Sequence, residues 1–528
     1  MIQNLSNYSD NMSVAVQERR NQIGQYVWLM LLFAITSVVA GQTALKFADP
    51  SQIAWICFFS GIIAIILNPR NGVYLIVGLS LAGDALLTPW FPFNKNLSSI
   101  ESLLYAGRAL SFSPLEITIG LTFAVWILRM AFERKWEIVL SPLLVPVASF
   151  TVFAIVGIVY GFGRGGDRVV GLWEVRSLFY LFPLTLMVSN LIKTRGHVQI
   201  LLWAIILSTA MDGIVGSAFV ASVLKFQLSG VEAIGEHSMS IHFTAFFIIF
   251  VGIWMFRGSY AKRLTMSLLL PFVFFAFIAN NRRASFICLA IALVIVAFAL
   301  YRFDRKKFWL IIPVVSVIAV MYIGVFWNAG GAIGAPAKAI RSVIGQPDPR
   351  DAASNVYRDL ENINILSTIK ASPLFGVGFG QKFYIQIPMP DISFFAWWQY
   401  ITHNSVLWIW MKMGLGGFVS LLMMFGMAIA QGTQTLWRMP GNELGVAALL
   451  ALCYTVVHFI YAYVDMSWDG PNMVMVGLMM GLIICLPLIA NQPEPVQPKR
   501  WPWQLDAQPV PELRVSVANS NEKQISWW

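Results

Sequence analysis

Charge is scarce in this sequence. Aspartate, glutamate, lysine and arginine make up 12% of its 528 residues, against roughly 25% in a soluble globular domain. That shortage excludes a soluble enzyme, a disordered protein and a nucleic-acid-binding domain. Cysteine is scarcer still. Cys57, Cys288, Cys453 and Cys485 all fall in apolar stretches, where structural disulfides are not expected and no spacing suggests a metal cluster. The histidines His197, His237, His242, His403 and His458 show no zinc-ligand pattern either. No Asp-x-Asp pair lies on the predicted outer face, so a metal-held nucleotide-sugar donor is not indicated. No cleavable leader is expected, because the polar residues 1–25, with Arg19 and Arg20, run straight into a full-length apolar segment.

What fills the chain instead is apolar residue, 58% of the total. Apolar runs recur from Tyr26 to Ala490 at a length of about 20 residues, enough to cross a bilayer. They fall near 26–45, 51–67, 72–90, 114–132, 139–160, 175–192, 198–223, 238–256, 262–280, 284–301, 308–327, 404–430, 443–464 and 471–490. The expected fold is an all-α, polytopic transmembrane bundle of about 12–14 spans. Interfacial aromatics such as Trp90, Tyr160, Trp309, Trp327 and Trp408 sit at span ends.

Basic residues orient these spans. With the N-terminus in the cytoplasm, the inner joints receive Arg70, Arg129, Arg134, Lys135, Lys193, Arg195, Arg257, Lys262, Arg263, Arg302, Arg305, Lys306, Lys307 and Arg438. Arg19, Arg20, Lys499 and Arg500 add to that side. The short outer joints receive half as many: Lys46, Lys95, Arg108, Arg164, Arg168, Arg176, Lys225, Arg282 and Arg283. Both termini are therefore expected inside. The chain divides into an N-terminal cytoplasmic segment (1–25), N-terminal spans (26–192) and central spans (193–327). A large outer loop (328–402), C-terminal spans (403–490) and a Pro-rich tail (491–528), expected to be disordered, follow. A loop of roughly 75 residues in a compact protein carries function or folds as a small subdomain.

Several residues stand out against this background. Arg282 and Arg283 occupy a tight outer hairpin, and Arg164, Arg168 and Arg176 flank another outer joint. Topology prefers such charges inside. The guanidinium fork suits phosphate recognition at a membrane surface, although pairing with outer carboxylates such as Asp167, Glu174, Glu232 and Glu236 is the plainer account. His403 closes the long loop in the run His403-Asn404-Ser405 and has the chemistry of a general base near pH 7. Its plainer role is backbone hydrogen bonding at a helix start. The turn Pro373–Gly380 alternates glycines Gly376, Gly378 and Gly380, which permit close backbone approach and can present N–H groups to an anion. It lacks the Lys-Ser/Thr pair of a Walker loop. Asp84, Glu116 and Asp212 read as intramembrane acids, for proton coupling or for helix–helix hydrogen bonding.

Taken in order, these stretches resemble a known family. Asn281-Arg282-Arg283-Ala284-Ser285 is similar to a short arginine hairpin before a transmembrane helix. Arg358, with Pro373 to Gly380, is similar to an Arg … Pro-x-x-Gly-x-Gly-x-Gly stretch in a large periplasmic loop. His403-Asn404, followed by Gly414 and Gly417, is similar to a His-Asn … Gly-x-x-Gly helix start. The chain resembles the bacterial O-antigen ligase and polysaccharide polymerase group, the WaaL/Wzy-type integral membrane glycosyltransferases, over approximately residues 200–430. Lys412 departs from the pattern, since many members carry an acid there.

The resemblance implies an inner-membrane enzyme whose donor is an undecaprenyl-pyrophosphate-linked oligosaccharide and whose acceptor is a glycan or lipid A-core. It also implies partners in membrane lipid and in a chain-length regulator and flippase of the same pathway. No cofactor or metal is implied. Because the pyrophosphate leaving group is already good, the reaction needs cations around it and a base for the acceptor hydroxyl. His403 is the expected base, and Arg282, Arg283 and Arg358 the pyrophosphate clamp. Arg176 is an additional contact, and Asn404, Gly376, Gly378 and Gly380 are the other substrate-binding residues. Polymerisation of an exopolysaccharide or O-antigen is preferred over ligation to lipid A-core. A lipid-linked oligosaccharide flippase, which would bury its arginines at midplane, and a non-catalytic export scaffold docking through the tail are the competing classes.

Overall fold

The computed structural model describes residues 50–492, apart from 229, 230, 232, 346, 393, 394 and 396. The expected N-terminal segment 1–25, the span near 26–45 and the tail from residue 493 lie outside the described residues. Among the described residues the protein is all-helical, with sixteen α-helices and no strand.

Among the described residues, ten helices are long and apolar enough to cross a membrane: α1 (Pro50–Leu67), α3 (Pro114–Glu133), α4 (Leu144–Gly163), α7 (Arg195–Ser222), α9 (Tyr260–Ala279), α10 (Arg283–Phe303), α11 (Arg305–Val325), α14 (Ser405–Arg438), α15 (Glu443–Val464) and α16 (Gly470–Ala490). Between them lie α2 (Pro69–Leu81), α5 (Arg168–Arg176), α6 (Leu181–Leu191), α8 (Met239–Met255), α12 (Gly331–Ile344) and α13 (Pro349–Ala371). A helix satisfies its own backbone polar groups, which is why apolar sequence in a bilayer takes this form. This is a multi-pass membrane protein.

Two expected spans and the long loop differ in detail. The run at 72–90 yields only the 13-residue α2. Just beyond its end the Asp84 carboxylate accepts the backbone N–H groups of Leu86 and Leu87, each at 2.9 Å, and this side-chain turn competes with continued helix. Asp84 therefore belongs to a loop rather than to a span. The run at 175–192 is broken, with α5 bent by 40° from the helical segment Leu178–Leu191. At the break, the Ser177 hydroxyl donates to the Trp468 carbonyl. The long loop 328–402 is folded, containing α12 and α13. On α13, the Asn364 side chain accepts N–H groups of Gln386 and Ile387 at 2.8 Å, and the Thr368 hydroxyl accepts that of Tyr384 at 2.9 Å.

α15 and α16 form the centre, with 83% of their apolar stretches buried, whereas α11 has no buried residue and stands at the periphery. α16 meets α6 through Gly477 and Gly481. A Cβ at Gly481 would lie 2.5 Å from that of Val188. Such close approach is how small residues pack transmembrane helices in the absence of a hydrophobic driving force.

The helix order gathers the joints at two ends. At one, Arg70 donates to the Leu191 carbonyl at 2.9 Å and Lys262 pairs with Glu443 at 2.7 Å. At the other, the segments before α8, between α9 and α10, before α14 and after α15 converge, tied by hydrogen bonds from Glu236 to Asp84, from Asn280 to Glu236, between His237 and Asp465, and from Ser405 to the Asp465 carbonyl.

Candidate active site

The arginine hairpin is fixed by its neighbour Asn280, which is fully buried. The Asn280 side chain accepts the Gly235 N–H at 3.0 Å and donates to Ser240 Oγ at 2.8 Å. Asn281 takes the left-handed conformation, φ 48°, which asparagine tolerates better than most residues. The chain then enters α10 with Arg282 as N-cap and Arg283 as the first helical residue. Cations at the positive end of a helix dipole oppose helix stability. Combined with exposed N–H groups, they make a strong anion-attracting point.

α13 delivers a second set of groups to the same end. Arg283 reaches Asp351 (Nε to Oδ1, 3.5 Å) and Asn355 (3.4 Å) on that helix, both long contacts. The Nε atoms of Arg282 and Arg358 are buried, without a hydrogen-bond partner among the described residues. Three residues beyond Arg358, on the same helix face, stands Glu361, 1% exposed. Its carboxylate accepts the His403 backbone N–H at 2.8 Å and lies 3.1 Å from His403 Nδ1. The Tyr357 ring lies edge-on to the imidazole at 5.6 Å.

His403 itself has a 35% exposed side chain. Burial lowers its pKa, but the Glu361 hydrogen bond and charge outweigh that, so the net shift is upward. With Nδ1 facing a carboxylate, Nε2 is the nitrogen left to accept a proton. Asn404 caps α14, accepting the Leu407 N–H at 3.0 Å, and its Nδ2 is buried without a partner among the described residues. Ser405 anchors the same turn by donating to the Asp465 carbonyl at 2.9 Å. Asp465 pairs with His237 at 2.7 Å. Burial resists its charge, yet His237, helped by Arg358 and His403, brings its pKa down to about 2.

The structure thus draws together Arg282, Arg283, Arg358, His403 and Asn404. The glycine turn and Arg176 do other work. Gly376, Gly378 and Gly380 all have φ between 70° and 88°. A Cβ at Gly378 would lie 2.4 Å from the Gly161 Cα, so the turn threads between α4, α5 and α14. Its amides, expected to face an anion, serve the protein instead. Val377 donates to the Met411 carbonyl at 2.7 Å, Phe379 to that of Gly157 at 3.1 Å, and Gly380 to Glu174 Oε2 at 2.6 Å. Glu174 also pairs with Lys412 at 2.8 Å, both side chains fully buried. Lys412, a departure from the pattern the resemblance implies, is thus paired with a carboxylate from α5.

Arg176 is held by Glu116 through a bidentate pair and by Asn96 Oδ1 at 2.9 Å. Glu116 completes a capping box with Ser113 and accepts from Tyr180 at 3.0 Å. Of the two acids still read as intramembrane, Glu116 is thus a helix-end partner, and only Asp212 lies deep in a span.

Sequence reasoning gave no role to Glu361, Asp465 or Tyr357. The Arg358–Glu361 spacing was the one available signal. Among the described residues no three or more His, Cys, Asp or Glu side chains are grouped to hold a metal ion.

An arginine-rich cluster and a carboxylate-bound histidine thus lie together at one end of a transmembrane helical bundle. Residues 266–422, which carry the arginine hairpin, α13, the glycine turn and His403, match the Wzy_C family model, described as O-antigen ligase. The match supports an O-antigen ligase/polymerase family assignment and that type of function in general. No curated protein matches the chain.

Proposed function

We propose that the protein is an inner-membrane glycosyltransferase. It moves a glycan from undecaprenyl pyrophosphate to a sugar hydroxyl and thereby polymerises an exopolysaccharide or O-antigen. The observation that carries this reading is His403, held at Nδ1 by Glu361 at the end of the bundle that also bears Arg282, Arg283 and Arg358. The acceptor hydroxyl attacks the anomeric carbon of the donor and its proton passes to His403 Nε2. The bond from that carbon to the pyrophosphate oxygen breaks, and the guanidiniums meet the charge gathering on the leaving group.

The active end faces the periplasm in this reading, with both termini cytoplasmic. It is supported by the basic residues Arg134, Lys135, Lys193, Arg195, Arg257 and Arg305–Lys307 at the opposite joints. The clamp arginines lie at a helix start and on a loop helix rather than mid-span, which favours transfer over transport.

Ligation to lipid A-core is the second reading, favoured by the description of the matching family. Reconstitution separates the two. Purified protein in lipid receives the undecaprenyl-pyrophosphate oligosaccharide, without and then with lipid A-core. Longer chains from donor alone mean polymerase, and product only with lipid A-core means ligase. Donor crossing the bilayer with no transfer overturns both.

A further inference from the structure

Beside His403 lies a cavity of about 310 Å³, at the small end of the roughly 300–1,000 Å³ found for small-molecule pockets. Thr402 and Ser405, which flank the His403-Asn404 pair, are part of its wall. None of the three clamp arginines is. The wall is instead acidic, with Asp84, Asp212, Glu236 and Asp469. Its one arginine, Arg176, is already neutralised by Glu116.

Two of these acids have protein partners. Asp84 accepts three backbone N–H groups, of Leu86, Leu87 and Glu236, and Asp469 caps α16 by accepting from Asn472 at 2.8 Å. Asp212 does not. It is 4% exposed, lines the cavity from within α7 and makes no hydrogen bond or ion pair among the described residues. A bare carboxyl in an apolar helix costs several kcal/mol unless something binds it, so Asp212 marks a place for a ligand.

The chemistry of the wall narrows that ligand. A pyrophosphate is repelled by so many carboxyls. A chelated metal ion lacks a ligand group among the described residues. A neutral polyhydroxylated ring meets both difficulties, because its hydroxyls donate to carboxylates while its C–H faces lie against aromatic rings. Trp173, Trp408 and Trp468 supply those rings.

We propose that this cavity is the subsite for a neutral sugar of the acceptor glycan, with Asp212 as its principal hydrogen-bond acceptor. The proposal rests on the glycosyl-transfer reading and assigns the two substrates to separate regions, the anionic donor to the arginines and the acceptor sugar to the acids. Thr402 and Ser405, in the cavity wall, are the chain neighbours of His403 and Asn404 and link the two regions. Burial raises the Asp469 pKa to about 6.

The test uses the full chain in lipid nanodiscs and a panel of methyl hexosides and methyl N-acetylhexosaminides, read by saturation-transfer-difference NMR. The wild type and His403→Ala are expected to give sugar signals, and Asp212→Asn and Asp212→Leu to lose them. In the transfer assay Asp212→Asn should raise the acceptor KM about tenfold, the scale of one lost hydrogen bond, and leave the donor KM unchanged. No sugar signal from wild type overturns the proposal, as does a signal that survives both Asp212 variants. If wild type binds sugars through Asp212 but transfers no glycan, the sugar subsite stands and the proposed function falls.

Discussion

Glu361 holds His403 at two points, accepting its backbone N–H at 2.8 Å and facing its Nδ1 at 3.1 Å. One carboxylate therefore fixes both where the residue enters α14 and which ring nitrogen is left to react. A buried acid, a histidine and a substrate hydroxyl form the same chain of roles as in other sites where a base is oriented by a third group.

This relationship makes the pH profile informative. The Glu361 contact raises the His403 pKa, while burial and Arg358 lower it. The base form is present above that pKa, so transfer should rise with pH through it. In Glu361→Gln the raising influence is lost and the acid limb should move to lower pH. The maximal rate should fall about 10²-fold or more, because the ring is no longer oriented. An unmoved limb in kcat/KM would show that Glu361 does not act through His403.

Removing the reacting groups gives the simplest outcome. His403→Ala and Arg283→Ala should each reduce transfer about 10²–10³-fold, the scale of a lost general base or charge-stabilising contact. Released undecaprenyl pyrophosphate and product length are the readouts. Retention of most activity in both variants would overturn the assignment.

The Glu174–Lys412 pair predicts a stability effect. Both side chains are fully buried, and breaking one partner of such a pair costs about 3–5 kcal/mol. Lys412→Met alone should lower the unfolding temperature of the purified protein sharply. Adding Glu174→Gln should recover most of the loss, because glutamine still accepts the Gly380 N–H and no lone charge is left. A double variant as unstable as the single one would show that the pair is not the cause.

Transfer without a metal is a further expectation, since the proposed chemistry assigns charge stabilisation to arginine alone. Rates measured in EDTA should equal those measured with added magnesium. A loss restored by a divalent cation would mean that the donor pyrophosphate arrives as a metal complex.

Much of this was legible in the sequence, for reasons that differ from element to element. Apolar length alone marked the spans, since bilayer thickness sets it. It failed at 72–90 because hydropathy does not register a single aspartate turning back on the next two amides. The order of the arginine hairpin, the glycine turn and His403 marked one end of the bundle. Their spacing could not show that Gly376, Gly378 and Gly380 give their conformational freedom to helix packing rather than to a ligand. Glu361, Asp465 and Glu174 were hidden for a common reason. Their partners His403, His237 and Lys412 lie 42, 228 and 238 positions away along the chain and meet them only in the folded protein, and no local pattern encodes such a pairing.

Arg282 and Arg283 stand at the positive end of α10, next to Arg358 and with few anions to answer them. In the proposed mechanism this crowding of like charge is an electrostatic frustration that a bound diphosphate would relieve. Recognition of this kind needs little rearrangement at the moment of binding, because the field is preorganised by the fold.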